Sequence, residues 1–467
     1  MKAPMVGKPV SLVNDVPTQK TERLSLRTLI IFATAWDGFV VAFGISYDPP
    51  FLNSTGLSSP PPQLMTLFYS NEAMFFHALA IPFIAVLVYA TLLICNVKGQ
   101  LYQAIKISIT GSFFLASPSA LFIMLFGQNS SVFGVLWIGL ALGMLAAILL
   151  IIALRPTKSK NSEEMNLHGA NLANLVVWTG VMGVLSATIV GAYASTGESQ
   201  WGALTTIPHG ALITATHIHV VISIVDAALV GLIVKAFRAD RYIGIPGLFI
   251  KIGLYGTLLG IPTTTIATYA TVPMGIEAHN GIEAFAAILL QSALFITYAI
   301  IYTEAKKLGT RYTIGILKNM MTFGLLFILF WVNVVVTLPG MYVAINLARF
   351  QGGPNEQVFI TGHEHILVTL TALTLLMLIA KAYKVRGKLD IISGLTLTTG
   401  YLLSTGATIP FIFYNWDPYT SPYVPYIMAG IVLMMIGVAT TLIGLALSKE
   451  RSTEGTAEIT AEAILQK

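Results

Sequence analysis

The sequence has little that a redox or soluble protein usually relies on. One cysteine, Cys95, stands among 467 residues. A single thiol excludes an internal disulfide, a thiolate-held iron–sulfur cluster and a CxxCH haem attachment. Charge is almost as scarce: Asp, Glu, Lys and Arg make up 10% of the residues, where a soluble domain carries about 25%. With 55% hydrophobic residues and a mean hydropathy of +0.77, the chain is expected to live in a bilayer. A cleavable signal is also missing, since residues 1–26 are polar, mixed in charge and without a short apolar core.

What is present is a series of long apolar runs, each near the ~20 residues that cross ~30 Å of hydrocarbon. Hydropathy places twelve, at roughly 27–48, 72–96, 103–126, 132–154, 170–194, 209–235, 245–271, 282–303, 319–346, 358–383, 389–413 and 424–447. The fold expected is an all-α polytopic membrane protein of twelve transmembrane helices. A cytoplasmic arm (1–26) precedes the membrane domain (27–447), and a polar tail (448–467) follows it.

The net charge of +5 is explained by its distribution, and no nucleic-acid partner is implied. Lys2, Lys8, Lys20, Arg23 and Arg27 fill the arm, and the next loop, 49–71, has no base. Lys98 and Lys106 follow, then Arg155, Lys158 and Lys160, then Lys235, Arg238 and Arg241, with bare loops between them. Lys306, Lys307, Arg311 and Lys318 form another basic group, and Lys381, Lys384, Arg386 and Lys388 the last. Only Arg349 breaks the alternation. The positive-inside rule then puts both termini in the cytoplasm of a cell membrane. The N-x-S/T sequons at Asn53 and Asn129 fall in loops assigned outside, where they are glycosylation candidates.

A repeat runs beneath this plan. "HIHVVISIVDAALVGLIVKAFR" at 217–238 aligns without a gap under "HEHILVTLTALTLLMLIAKAYK" at 363–384. His217 meets His363, His219 meets His365, Lys235 meets Lys381 and Phe237 meets Tyr383. A weaker copy begins at His77, which lies twenty-one residues before Lys98, as His217 and His363 do before Arg238 and Lys384. The second, sixth and tenth windows are thus read as equivalents in a three-fold pseudo-repeat of four helices. All three run outside to inside, so their histidines form one layer near the outer surface.

Buried imidazoles bond between helices, relay protons or ligate metal. The rings of an HxH pair diverge by about 200° around a helix, so they serve different neighbours. Haem iron between histidines of two helices suits this layer; zinc, which takes four ligands, suits it less. Polar bonding between helices remains the alternative.

Twelve helices with both ends inside, a four-helix period, His77 on the second and HxH on the tenth resemble the catalytic subunit of haem–copper oxidases. "THIHVVIS" is similar to that family's helix-ten segment, although here it lies on the sixth. The resemblance implies that His77 and His365 sandwich a low-spin haem. It also implies that His363 faces a second haem position and that His217 occupies the helix-six copper-ligand position. The family's adjacent His-His pair on helix seven is missing, because 245–271 contains no histidine, and Val221 stands where the helix-six Tyr would be. Oxygen reduction is therefore not expected. The length, the hydropathy and the missing copper ligands also resemble the very hydrophobic membrane component of archaeal cytochrome b-558/566 complexes. That resemblance implies one or two b-type haems, a quinone, and partners including an outer cytochrome and a Rieske-type protein.

Other polar groups lie within the windows. Asp226, seven residues past His219, is read either as a proton carrier to quinone or as a protonated acid bonded to a neighbouring helix. Asp37 is read as structural, and Gln291 and Asn333 as interhelical hydrogen-bond partners. Glu277, His279 and Glu283 make a polar cluster read as an interfacial cap, with a quinone or proton-exit site as the alternative. His279 is read as an interfacial loop histidine, or else as a substitute ligand. A twelve-helix secondary transporter competes with the haem reading, as does a haem-free membrane anchor. A transporter of two six-helix halves should repeat after about half the chain; the repeat here is 146 residues.

Overall fold

The computed structural model describes residues 25–46, 72–127, 129–156, 165–167, 170–196, 208–271, 274, 276–307, 319–331, 342, 354–414 and 420–448. The arm up to residue 24, the tail after 448, Asn53, Asn333 and Arg349 lie outside the described residues. Each of the twelve apolar windows holds helix over its described part: α1 (Leu26–Ser46), α2 (Glu72–Ile94), α3 (Gly99–Phe126), α4 (Ser130–Ala153), α5 (Leu172–Thr196), α6 (Pro208–Ala236), α7 (Gly244–Pro262), α8 (Ile276–Leu290) with α9 (Ala293–Lys307), α10 (Met320–Trp331), α11 (Pro354–Ala382), α12 (Lys388–Tyr414) and α13 (Val424–Leu447). Among the described residues, eight helices are long and apolar enough to cross a membrane. The chain is an all-α polytopic membrane protein whose only described strands form a two-residue ribbon, Asn166–Leu167 with Ala170–Asn171.

In hydrocarbon a peptide group has no water to bond, so each segment satisfies its own backbone as helix. Two windows depart from a single regular helix. The eighth is broken at Gln291–Ser292, where Leu294 and Phe295 donate to carbonyls only three residues back. The Ser292 hydroxyl donates to the Gly253 carbonyl of α7 at 3.0 Å, tying the break to its neighbour. The seventh widens after Pro262, which lacks an N–H, into a π-helical turn over Thr263–Ala267.

Helix order around the bundle follows sequence, from α1 on α2 through to α12 on α13, and α13 closes back on α1. Arg27 at the start of α1 donates to the Ser448 carbonyl at the end of α13. Inside this ring α2, α6 and α11 pack on one another. They run parallel. The Lys381 ammonium at the end of α11 lies 4.2 Å from the Phe237 ring beyond the end of α6. Cys95, just past the end of α2, lies within the field of Lys235 at the end of α6. The inner position also appears as coverage: 61% of the α2 span is buried against 22% of α4. Phe114, Phe126, Ile138 and Ile152 on the outer helices stay exposed, as lipid contact requires.

The inner helices end alike. Asn96, Arg238 and Lys384, with φ of 53°, 52° and 56°, are the described non-glycine residues in the left-handed region. Each stands two residues past its helix and turns the chain out. Cys95, Phe237 and Tyr383 donate to the carbonyls of Thr91, Ile233 and Ile379 at 2.9, 3.0 and 2.9 Å. Val97 and Val385 reach five residues back, to Leu92 and Ala380, closing Schellman-type caps. A glycine of positive φ then opens the next helix at Gly99, Gly244 and Gly387. After α6 the two residues are further apart, because a 3-10 turn at Ala239–Arg241 intervenes. Its Asp240 accepts from Asn171 at 2.8 Å, while Asn171 caps α5 through the Asn174 N–H.

Outer pairs close on small residues. A Cβ on Gly430 would lie 2.5 Å from the Ser404 nitrogen and 2.6 Å from the Gly400 oxygen. Backbone cannot yield as a side chain does, so Gly430→Ala should separate α12 from α13 and destabilise by about 1–3 kcal/mol. Gly406→Ala on α12, with nothing within 4 Å of its Cβ, should be neutral or slightly stabilising. Thermal unfolding of both variants in detergent checks the contrast. Burial pushes the Cys95 thiol up from 9.0 to about 11, with Lys235 opposing the shift. Two units mean about 100-fold less thiolate near neutrality, so maleimide should label Cys95 about 100-fold more slowly in folded protein than in denatured protein. Mass spectrometry of the labelling time course measures this.

Candidate functional site

Of the histidine layer, the side chains of His77 and His217 are described; those of His219, His363 and His365 lie outside the described residues, although their backbones are helical. His77 on α2 and His217 on α6 are both half-buried, and His217 lies within the field of His77. The His217 ring seats against Gly191 of α5: a Cβ there would lie 2.6 Å from its Cε1 and 2.9 Å from its Nε2. The turn of α2 that carries His77 is also anchored. Trp36 on α1 donates to Ser117 on α3 at 2.8 Å, and Ser117 donates to the Ala78 carbonyl at 2.6 Å.

The shared turns change the register of the first copy. Counted from the left-handed residues, His77 lies nineteen before Asn96, His219 nineteen before Arg238 and His365 nineteen before Lys384. His77 therefore matches the second histidine of each HxH, whereas alignment on Lys98 matches it to the first. The discrepancy arises because Lys98 lies two residues beyond the turn that ends α2, while Arg238 and Lys384 are themselves the turn residues. At 1.5 Å per residue the shared position lies about 28 Å from the turns, across most of a bilayer.

Asp226 sits on α6 between the two ends. The Thr371 hydroxyl of α11 donates to its Oδ1 at 2.7 Å, so the acid is bonded to a neighbouring helix. Tyr401 of α12 lies within the field of Asp226; it is fully buried, and its hydroxyl has no hydrogen-bond partner among the described residues. Thr371 and Tyr401 are invisible in the sequence. Thr is common on these helices, and nothing local marks one that faces an acid on a distant window. Asp37 on α1 keeps a buried Oδ1 without a partner, as does the Thr34 hydroxyl one turn before it.

His279 is not a loop residue. It lies in the first turn of α8, 1% exposed, because helix begins at Ile276 rather than near 282. Both ring nitrogens are engaged, Nδ1 with the Thr271 hydroxyl at 3.4 Å and Nε2 with Glu283 Oε1 at 3.3 Å. With both occupied, His279 has no nitrogen for a metal, and the substitute-ligand alternative fails. Glu283 is half-buried beside it, and the Glu277 side chain lies outside the described residues.

Among the described residues no group of three His, Cys, Asp or Glu is placed to hold a metal ion. Two imidazoles from adjacent helices, without thiolate or carboxylate, form a donor set that fits haem iron, which takes its other four ligands from the porphyrin. The sequence matches no family model, and comparisons with curated proteins and with solved structures each give no match.

Removing the Glu283 carboxylate leaves a buried imidazole nitrogen unpaired, at a cost of about 1–3 kcal/mol. Glu283→Ala should therefore lower the detergent melting temperature, with Glu283→Gln in between. Thermal unfolding of the two variants beside the wild type checks this.

Proposed function

We propose that this chain is the integral membrane subunit of a respiratory electron-transfer complex, holding b-type haem through histidines of α2, α6 and α11. The observation that carries the reading is that the helices bearing the histidines, α2, α6 and α11, pack on one another, with His217 of α6 within the field of His77 of α2 at the end away from the left-handed turns. The three equivalent turns and the parallel inner trio support a three-fold pseudo-repeat of four helices within twelve spans. Arg27 on Ser448 brings the first and last helices together at one end, which supports both termini lying on one side, the cytoplasmic one. The membrane is then the cell membrane. Asn129, exposed on the opposite side, is a glycosylation site together with Asn53.

Haem, when bound, supplies one-electron transfer. His77 and His365 would hold it in the low-spin position, as the oxidase resemblance implies, and His217, His219 and His363 would serve a second position. The protein's own contribution begins with a dry wall. Gly191 lets the His217 ring lie against the α5 backbone, and the Trp36–Ser117–Ala78 chain holds the His77 turn in place. Quinol oxidation releases protons, and Asp226 and Glu283 are the acids that take them up. Electrons leave to an outer-face acceptor, a cytochrome or Rieske-type partner. Oxygen reduction is not part of the function.

A reduced-minus-oxidised spectrum of the purified protein tests this. Soret and α bands are expected; their absence would leave a secondary transporter or a haem-free anchor. His77→Ala and His365→Ala should each abolish the low-spin signal, and His168→Ala should retain it. Full retention in either of the first two contradicts the ligand assignment.

A further inference from the structure

Asp226 has a hydrogen-bond geometry that says more than its burial. Thr371 Oγ1 has one proton and two acceptors in reach, Asp226 Oδ1 at 2.7 Å and its own helix carbonyl, Leu367 O, at 2.8 Å. One proton cannot serve both. Both contacts are satisfied if Asp226 carries a proton on Oδ1 and donates it to Thr371, which then donates to Leu367. Asp226 has no cation partner among the described residues; its own field reaches Tyr401 of α12. An uncompensated carboxylate inside a bilayer is costly, and the neutral acid avoids that cost.

Two further hydroxyls stand by without partners. Tyr401 Oη is fully buried beside Asp226, and Thr374 Oγ1 lies on the Thr371 face of α11, 1% exposed. A buried hydroxyl without a partner is costly, and a bridging water recovers that cost. They also supply what the ionised acid would need. On loss of its proton, Asp226 can accept from Thr371, turned away from Leu367, and from Tyr401 through a bridging water.

We propose that Asp226, Thr371 and Tyr401 form an intramembrane proton-binding site between α6, α11 and α12. The acid is held neutral and exchanges its proton with water lodged against the Tyr401 and Thr374 hydroxyls. In the exchange the Asp226 O–H bond breaks, a water O–H bond forms, and the electron pair stays on the carboxylate. The site deepens the proton-uptake role given to Asp226 above and needs no haem.

Infrared spectroscopy of the full chain in liposomes tests it. The wild type should show the carbonyl stretch of a protonated carboxylic acid that is absent in Asp226→Asn, and the band should shift when H2O is replaced by D2O. Thr371→Val should move that band without removing it, and this variant decides the matter if Asp226→Asn does not fold. Tyr401→Phe should slow the D2O exchange. The proposal is overturned by the absence of an Asp226-dependent acid band, or by a band that never responds to D2O. A band that vanishes on adding sodium at fixed pH would also overturn it, in favour of a metal-cation site. A protein with this band but no haem spectrum separates this site from the electron-transfer reading.

Discussion

A peptide group in hydrocarbon has nothing to bond except another peptide group, and the rest of this structure follows from that. Within the bilayer every segment is helix, so the chain can change direction only where the helices end. At one end of the inner trio it does so through Asn96, Arg238 and Lys384. A side chain in the left-handed region costs about 1–2 kcal/mol, and only Asn96 is of a type that reduces it. After α2 and α11 what offsets the cost is the hydrogen bond from beyond the turn to a carbonyl that would otherwise face lipid or headgroups unpaired. All three inner helices share the preceding four-residue bond, from Cys95, Phe237 and Tyr383, so they end at matching points.

From that shared end the rest of the bundle can be ordered. Lys381 over Phe237, and Lys235 near Cys95, hold the three inner helices parallel. Parallel helices cannot be joined by short turns. Each is therefore reached through outer helices, which the chain order lays around it in a ring. The outer helices meet their neighbours through small residues, as Gly430 does against Ser404, and show Phe and Ile to lipid. Packing in the membrane gains nothing from hiding apolar surface, so close approach of backbones does the work that hydrophobic burial does in water.

Some of this is legible in the sequence alone. The described part of each apolar window holds helix, because twenty apolar residues leave the chain few alternatives, and eight of these helices are long and apolar enough to cross a membrane. The gapless match of 217–238 to 363–384 is also legible, and α6 and α11 do end in the same turn. The first copy is misaligned by two residues when read by charge, since Lys98 resembles a turn residue in charge while Asn96 is the turn residue in φ. His279 reads as a loop residue because the apolar run starts later than the helix: Ile276–Asn280 are helical although only part of that stretch is apolar. The break at Ser292 leaves no hydropathic trace at all, because a serine bonded to a neighbour's carbonyl scores like any other serine.

The polar groups of the inner trio have a common arrangement by depth. Histidines stand at one end, an acid with its hydroxyl partners near the middle, and bases at the other. Each of these groups costs free energy in a membrane unless something answers it. The bases are answered by aqueous and aromatic surroundings, and Asp226 by a hydroxyl on the next helix. The histidines are answered partly from outside the trio: the His217 ring lies against Gly191 of α5 while within the field of His77, so the end of the trio that carries them is fixed by an outer helix as well as by its inner neighbours.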